Sequence, residues 1–350
     1  MFCIGIIGAG MVADMHIEAI IKDSRAYVKW VSSTTISKNL LRIKEKFDIP
    51  RITDNYFDIL EDREVDAVII CSPPDSHTKY IQAIIPYGKH ILAEKPLCIS
   101  QEDLDELSKI ESTTSQVIME CSARFSLLNK KFKLVKEMIA DKLLGDIYFI
   151  HHVSLNRQSR PGIEYNPDAK WFLDKSKAGG GPLFDWGEYD LAFHLGILTS
   201  EPTLKSWEVT RLKGLDNFAK DAPIFDIEEH SIALMEFDSG LKYYYEIANN
   251  AHNDAPCETR IYGTRGGLKL HYKPWDSNDI ELYFLDDDEK AQQQTISIVS
   301  ENEPSPDEQL ITHFLDCCID GKTPLMPFSL AAKHLEIVFN LSSSNLTKIT

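Results

Sequence analysis

Over the first 125 residues, short apolar runs alternate with longer amphipathic ones. Residues 3–7, 27–32, 67–71, 90–93 and 117–121 are brief and rich in Ile and Val, as strands buried on both faces should be. Between them, residues 12–21, 37–47, 77–87 and 101–111 carry helical spacing. Ser100, with Asp103 three residues on, gives the last of these a capping-box-like start. Strands alternating with helices predict an α/β unit over residues 1–124, built on a parallel, doubly wound sheet.

The texture changes after Leu144-Gly145-Asp146. Residues 148–154, 232–237, 241–248, 260–262, 268–272, 282–285 and 295–299 alternate or are aromatic, and turn signals such as Asp238-Ser239-Gly240 separate them. A large, mostly antiparallel sheet with one face covered is predicted within residues 125–303. Residues 304–350 close the chain with two helices, 306–319 and 329–346, expected to brace the two domains. No internal repeat or low-complexity tract interrupts this order.

Composition narrows the function. The 350 residues carry 54 acids against 37 bases, a formal charge of −17, which repels phosphate backbones and anionic membranes and argues against nucleic-acid or lipid partners. Seven cysteines, an odd number without a C-x-x-C pair, read as reduced core thiols of a cytoplasmic protein. The first strand begins at Phe2, leaving no room for a basic leader, and no apolar run reaches membrane-spanning length.

Three distant segments carry candidate chemistry. Gly8-x-Gly10-x-x-Ala13 follows the first strand and opens the first helix. There glycine serves the tight turn and the close approach of a pyrophosphate, which rests on the amides of Met11 and Val12 and the positive end of the helix. At the end of the second strand stand Ser33, Thr34, Thr35 and Lys38, with no carboxylate. Hydroxyls and a lysine suit a ribose 2′-phosphate, so NADP is expected over NAD; the alternative is that they cap the next helix, with Ser37 as N-cap. Ser72-Pro73-Pro74 and His77 follow the strand ending at Cys71, on the ligand-binding edge of such a sheet, although His77, like His16, also suits simple packing. Glu94-Lys95-Pro96 supplies a cation near the cofactor. Far downstream, Gly179-Gly180-Gly181 lets the backbone lie close against a flat, polar partner, with Asp185 and Tyr189 just beyond.

Taken in order, these motifs, with Arg124-Phe125, Leu144-Gly145-Asp146-Ile147, Tyr262-Gly263-x-x-Gly266 and Phe314-Leu315-Asp316, resemble the Gfo/Idh/MocA oxidoreductases over nearly the whole chain. The resemblance implies an N-terminal Rossmann domain and a C-terminal α/β domain whose open sheet lines the substrate cleft and forms a homo-oligomer interface, dimeric or tetrameric. It implies NAD(P)-dependent hydride transfer to or from a sugar, polyol or related hydroxy or carbonyl compound. It places Lys95 beside the nicotinamide, Asp185 near the substrate, and a histidine acid/base four residues after that aspartate. Here that position is Tyr189, and the family's acidic position three beyond is Ala192.

A free tyrosine titrates near pH 10, so Tyr189 would need a cation such as Lys95 to act near neutrality. The expected division of labour has Lys95 polarising the reacting oxygen, Tyr189 exchanging the proton and Asp185 orienting a hydroxyl or the lysine. Tyr189 also fits a packing aromatic and Asp185 a helix cap. Arg124, Trp171 and His194, with Arg157, Arg160 and Lys170, are candidates for the substrate side, although residues 157–175 also suit a solvated loop. His151 and His152 point to opposite faces of a strand, so no metal is expected. Two rival functions stay open: a cofactor-retaining enzyme using transient oxidation, as in glycoside cleavage, and a dinucleotide-binding regulator without turnover.

Overall fold

The computed structural model describes residues 1–156, 169–215, 222–253, 257–298 and 303–349. The chain divides into two compact units, Met1–Arg124 with Glu303–Lys333, and Phe125–Asn302 with His334–Thr350.

In the first unit β1 (Phe2–Ile7), β2 (Ala26–Ser32), β3 (Arg51–Thr53), β4 (Ala67–Ile70), β5 (His90–Ala93) and β6 (Ile118–Glu120) form one sheet in the order 3-2-1-4-5-6. Every pairing is parallel. Its strands read as unbroken apolar runs because both faces are covered: Ile4, Ile6, Val68, Ile69, Ile70, Ile91 and Leu92 are wholly buried. The connections are α1 (Met11–Lys22), α2 (Lys38–Phe47), α3 (Phe57–Glu61), α4 (His77–Ile84) and α5 (Gln101–Glu111). Ser37 Oγ accepts from the Leu40 amide, and Ser100 Oγ from the Asp103 amide, fixing the starts of α2 and α5. The strand order reverses between β1 and β4, which leaves a crevice beyond their carboxyl ends.

The second unit holds α6 (Lys130–Ala140), β7 (Ile147–Leu155), α7 (Lys175–Ala178), α8 (Pro182–Gly196), β8 (Leu204–Lys213), β9 (His230–Phe237), β10 (Lys242–Ala248), β11 (Glu258–Gly263), β12 (Gly266–Leu270), β13 (Asp279–Leu285) and β14 (Ala291–Ser297). The chain ends with α9 (Pro306–Asp320), α10 (Phe328–Ser342) and β15 (Leu346–Lys348). A nine-stranded sheet runs 14-13-12-11-7-10-9-8-15; β7–β10 and β8–β15 are parallel and the other pairs antiparallel. Alternation along β9 is plain: Ser231, Ala233, Met235 and Phe237 are buried, while Leu234 on the other face is exposed. Residues 303–333 belong with the first unit, where Arg25 Nη1 reaches Asp316 Oδ1 at 2.7 Å, and residues 334–350 belong with the second.

The sequence pattern located most strands to within a residue or two and missed β3, α3, α6, α7, α8, β8 and β15, and the last helix, expected over 329–346, ends at Ser342 with β15 following from Leu346. β3 and α3 are too short to establish a period. α8 is buried nearly all round, so it shows no polar face. β8, Leu-Lys-Ser-Trp-Glu-Val-Thr-Arg-Leu-Lys, is largely exposed and carries charge along a nearly outermost strand. Among the described residues no helix is long and apolar enough to cross a membrane.

Candidate active site

The turn from β1 into α1 has the geometry of an anion cradle. Gly8 has φ +116°, and a Cβ there would lie 2.5 Å from the Cys71 carbonyl oxygen, so only glycine lets this turn touch the end of β4. A Cβ on Gly10 would meet nothing within 4 Å. Gly10 is the N-cap of α1 and brings no side chain to its first amides, which include those of Met11 and Val12. Ala13 is wholly buried where the helix packs on the sheet. Room, amides without a side-chain cap and a helix dipole together fit a dinucleotide pyrophosphate. Beyond β2, Thr34, Thr35 and Lys38 are exposed, and Ser33 is half-buried with its amide donating to Thr53 O.

Along the same edge, Ser72 and Pro73 form a lip tied down by Ser76, whose hydroxyl lies 2.7 Å from both Ser72 Oγ and Pro73 O. His77 is wholly buried, its ring nitrogens 2.7 Å from Pro96 O and 2.8 Å from Ser72 O. Burial pushes its pKa down while the two carbonyls oppose that shift, and the ring, donating to one carbonyl at a time when neutral, stands between the lip and the Lys95–Pro96 loop, whose peptide bond is cis. Lys95 is half-buried at the head of that loop.

Next to Lys95 in sequence, Glu94 belongs to a buried ion-pair network. Glu94 Oε1 is 2.8 Å from His16 Nε2 and 3.0 Å from Arg124 Nη1, which also donates to Asp307 Oδ1 at 3.0 Å. Burial alone would raise the Glu94 pKa, but Arg124 and His16 outweigh it and hold the carboxyl well below the usual range. Glu94 and Arg124, expected at cofactor and substrate, are here paired with each other and with His16 and Asp307. His16, Glu94 and Cys121 bring one donor atom each within 4.8 Å, with the Glu94 carboxylate also paired to Arg124. A second carboxyl, Glu120, sits wholly buried at the end of β6, in register with Ala93. Its Oε2 accepts from the Ser122 amide at 2.9 Å, and its Oε1 has no hydrogen-bond partner among the described residues. Burial, opposed by the Ser122 bonds and reinforced by Glu94, pushes it up to about 7.

In the second unit the glycine run leads straight into α8. Asp185 is half-buried in the first turn, and Tyr189, one turn on, is buried with its ring 5.1 Å from Phe125 and 5.2 Å from Trp186. Trp275, more than half exposed, completes this aromatic group, and the Lys273 ammonium lies 4.1 Å from the Trp186 ring centroid. His194 is a core residue: its Nε2 is 2.8 Å from Thr259 Oγ1 and its Nδ1 2.6 Å from Tyr243 OH, and burial drives its pKa well down. Next to Tyr189, the wholly buried Asp190 accepts from Tyr245 OH at 2.8 Å and from Tyr272 OH. Trp171 is half-buried on a single turn, stacked on Phe172 at 3.9 Å. Lys170 on the same turn is exposed, and Arg157 and Arg160 lie outside the described residues. Sequence reasoning passed over Glu120, Asp307 and Glu228; an acidic pair, Glu228-Glu229, opening an alternating apolar strand was the available signal for the last.

Two outcomes follow from the network. Arg124→Ala, which removes the guanidinium that does most to offset the buried Glu94 charge, should cost about 3–5 kcal/mol at neutral pH by denaturant unfolding. Because the native pKa of Glu94 is depressed, that gap should narrow as pH falls through the ordinary glutamate range. Glu120 has the opposite sign: its native pKa is raised, so its ionisation weakens the fold as pH climbs from about 4.5 toward 7. Glu120→Gln should therefore stabilise the protein by about 2–3 kcal/mol at pH 8 and by nothing measurable near pH 4.5.

Comparison with known proteins agrees with this geometry. Residues 2–121 match the model of an oxidoreductase family with an NAD-binding Rossmann fold, and residues 132–269 match the GFO/IDH/MocA C-terminal domain. The chain is 25% identical over 287 residues to myo-inositol 2-dehydrogenase of Thermotoga maritima, spanning 77% of this chain and 81% of that one. Its fold is shared with levoglucosan dehydrogenase in complex with NADH and levoglucosan (TM-score 0.81, 17% identity, 98% and 96% of the two chains). It is shared also with a 3-ketoreductase of Actinomadura kijaniata in complex with TDP-benzene and NADP (TM-score 0.75, 18% identity, 100% and 99%). A dinucleotide cradle at the start of α1 and matches to both family domains make this chain an NAD(P)-binding oxidoreductase of the Gfo/Idh/MocA family.

Proposed function

We propose that this oxidoreductase acts on the CH–OH group of a sugar, polyol or related compound, with NADP preferred to NAD. The observation that carries the reading is the start of α1, where Gly10 leaves open space in front of amides that no side chain caps among the described residues. Relatives that bear the names of a polyol and a sugar dehydrogenase support the substrate class. The exposed Thr34, Thr35 and Lys38, without a carboxylate among them, favour a ribose 2′-phosphate. The nicotinamide, when bound, supplies the hydride acceptor or donor. Lys95 would hold the reacting oxygen and stabilise its developing negative charge. Tyr189 would pass the hydroxyl proton, and Asp185 would orient a neighbouring hydroxyl. We place the protein in the cytoplasm, since all seven cysteines are free thiols and four of them, Cys3, Cys98, Cys121 and Cys317, are buried.

The test is steady-state turnover with NADP+ and NAD+ on a panel of myo-inositol, levoglucosan, D-xylose and D-glucose. Net cofactor reduction on at least one compound, with kcat/KM higher for NADP+, is expected; a higher value with NAD+ reverses the cofactor assignment. Product without net cofactor change would point to transient oxidation, and tight cofactor binding without turnover to a regulator. Lys95→Ala and Tyr189→Phe should each lower kcat about 10²- to 10⁴-fold, and full turnover in either removes that residue from the scheme.

Self-association through the uncovered face of the larger sheet is part of the same proposal. Across that face Leu234, Tyr244, His151 and Arg260 stand side by side in register, with the His151 and Tyr244 rings stacked at 4.8 Å. Sedimentation should show a dimer or tetramer that Leu234→Glu shifts toward monomer; a monomeric parent refutes it.

A further inference from the structure

The segment just ahead of β9 is a strap. Asp226 Oδ1 accepts from the Lys175 amide at 2.7 Å, at the start of α7. Glu229 Oε2 accepts from the Gly214 amide at 2.6 Å and the Leu215 amide at 3.1 Å, beyond β8. Between them Glu228, wholly buried, reaches the start of α8: its Oε1 accepts from the Gly181 amide at 2.9 Å and the Leu183 amide at 3.3 Å. Its Oε2 accepts from Arg211 Nη2 at 2.9 Å. Arg211 is itself buried and donates through Nη1 to the carbonyls of Ser342 and Ser344. The backbones are pressed together as well, since a Cβ on Gly181 would lie 2.0 Å from the Glu228 carbonyl oxygen.

A helix start leaves amides unsatisfied, and a carboxylate there gains both their hydrogen bonds and the helix dipole. What sets Glu228 apart is its remoteness in sequence: the cap comes from a different segment and is anchored from behind by a buried cation. Such a cap fixes the rotation and the advance of α8 along its axis. We propose that Glu228, backed by Arg211, is a positioning residue that sets where α8 presents Asp185 and Tyr189, roughly one and two turns beyond the capped amides. The inference rests on the reading of those two residues as substrate-side groups. Misplacement of reacting groups by about 1 Å costs on the order of 10²-fold in rate, so the clamp should register in kcat.

A structural role and a positioning role separate in paired variants of the full chain. Glu228→Gln keeps an oxygen for the two amides while leaving Arg211 without its counter-charge; it should lower the melting temperature yet keep kcat within about threefold. Glu228→Leu/Arg211→Met removes the charge pair together, which a core tolerates, but also removes the cap. Its kcat should fall about 30- to 100-fold, with the NADPH dissociation constant within about twofold of the parent. Gly181→Ala, which retains both charged residues and forces the backbones apart, should reproduce the loss. Kinetics use NADP+ with whichever of the four panel compounds the parent turns over fastest.

Undiminished kcat in the folded Leu/Met variant overturns the proposal, as does a Glu228→Gln loss equal to the Leu/Met loss. Where the Leu/Met variant does not fold, undiminished kcat in Gly181→Ala overturns it alone. A parent inactive on all four compounds refutes the functional reading, and amide exchange then judges the clamp. Protection of Gly181 and Leu183 should fall in the Leu/Met variant and persist in Glu228→Gln; unchanged protection in the Leu/Met variant overturns it.

Discussion

The reversal of strand order between β1 and β4 is the constraint from which the cofactor site follows. A right-handed crossover on either side of that point sends neighbouring connections to opposite faces, so the carboxyl ends of β1 and β4 cannot be covered by their own loops. Glycine at position 8 brings the two ends together, and glycine at position 10 keeps the space beyond them clear. The first amides of α1 then face that space without a side-chain cap, which is costly unless something anionic or wet meets them. Neighbouring features of the same edge, the Ser72 lip and the Lys95 loop, both meet the ring of one buried histidine.

Buried charge follows a consistent rule through both units. Glu94 is ionised because Arg124 and His16 meet it, and Glu228 is met by Arg211 and two helix amides. Glu120 has only one satisfied oxygen and is pushed toward the neutral form. The partners decide whether a carboxylate anchors the fold or becomes a pH-dependent weakness. Glu94 and Glu228 hold the backbone from which candidate reagents project.

How much of this was legible in the sequence depended on range. Residues acting through local chemistry were readable: Gly8 and Gly10 at a strand–helix junction, Ser37 and Ser100 as helix caps, and the short Ile- and Val-rich strands of the parallel sheet. α8 escaped because burial on every side erases amphipathic spacing, although the tripeptide before it and Pro182 marked its start. Arg124 and His194 were read from their charge or ring chemistry alone, because their partners were not visible. Asp307 lies 183 residues from Arg124 and Thr259 lies 65 from His194, separations that no local pattern reports. The same applies to Glu228, whose role exists only through contacts with Gly181, Leu183 and Arg211.

The most direct measurement of the central claim is equilibrium binding of NADPH to the intact protein and to Gly10→Asp, followed by nicotinamide fluorescence. Aspartate would fill the open space at the start of α1 and set a negative charge against the pyrophosphate. Saturable binding in the parent and a loss of at least about 100-fold in a folded Gly10→Asp protein is the predicted result. Equal affinity in the two proteins, or no binding to the parent, would contradict the account.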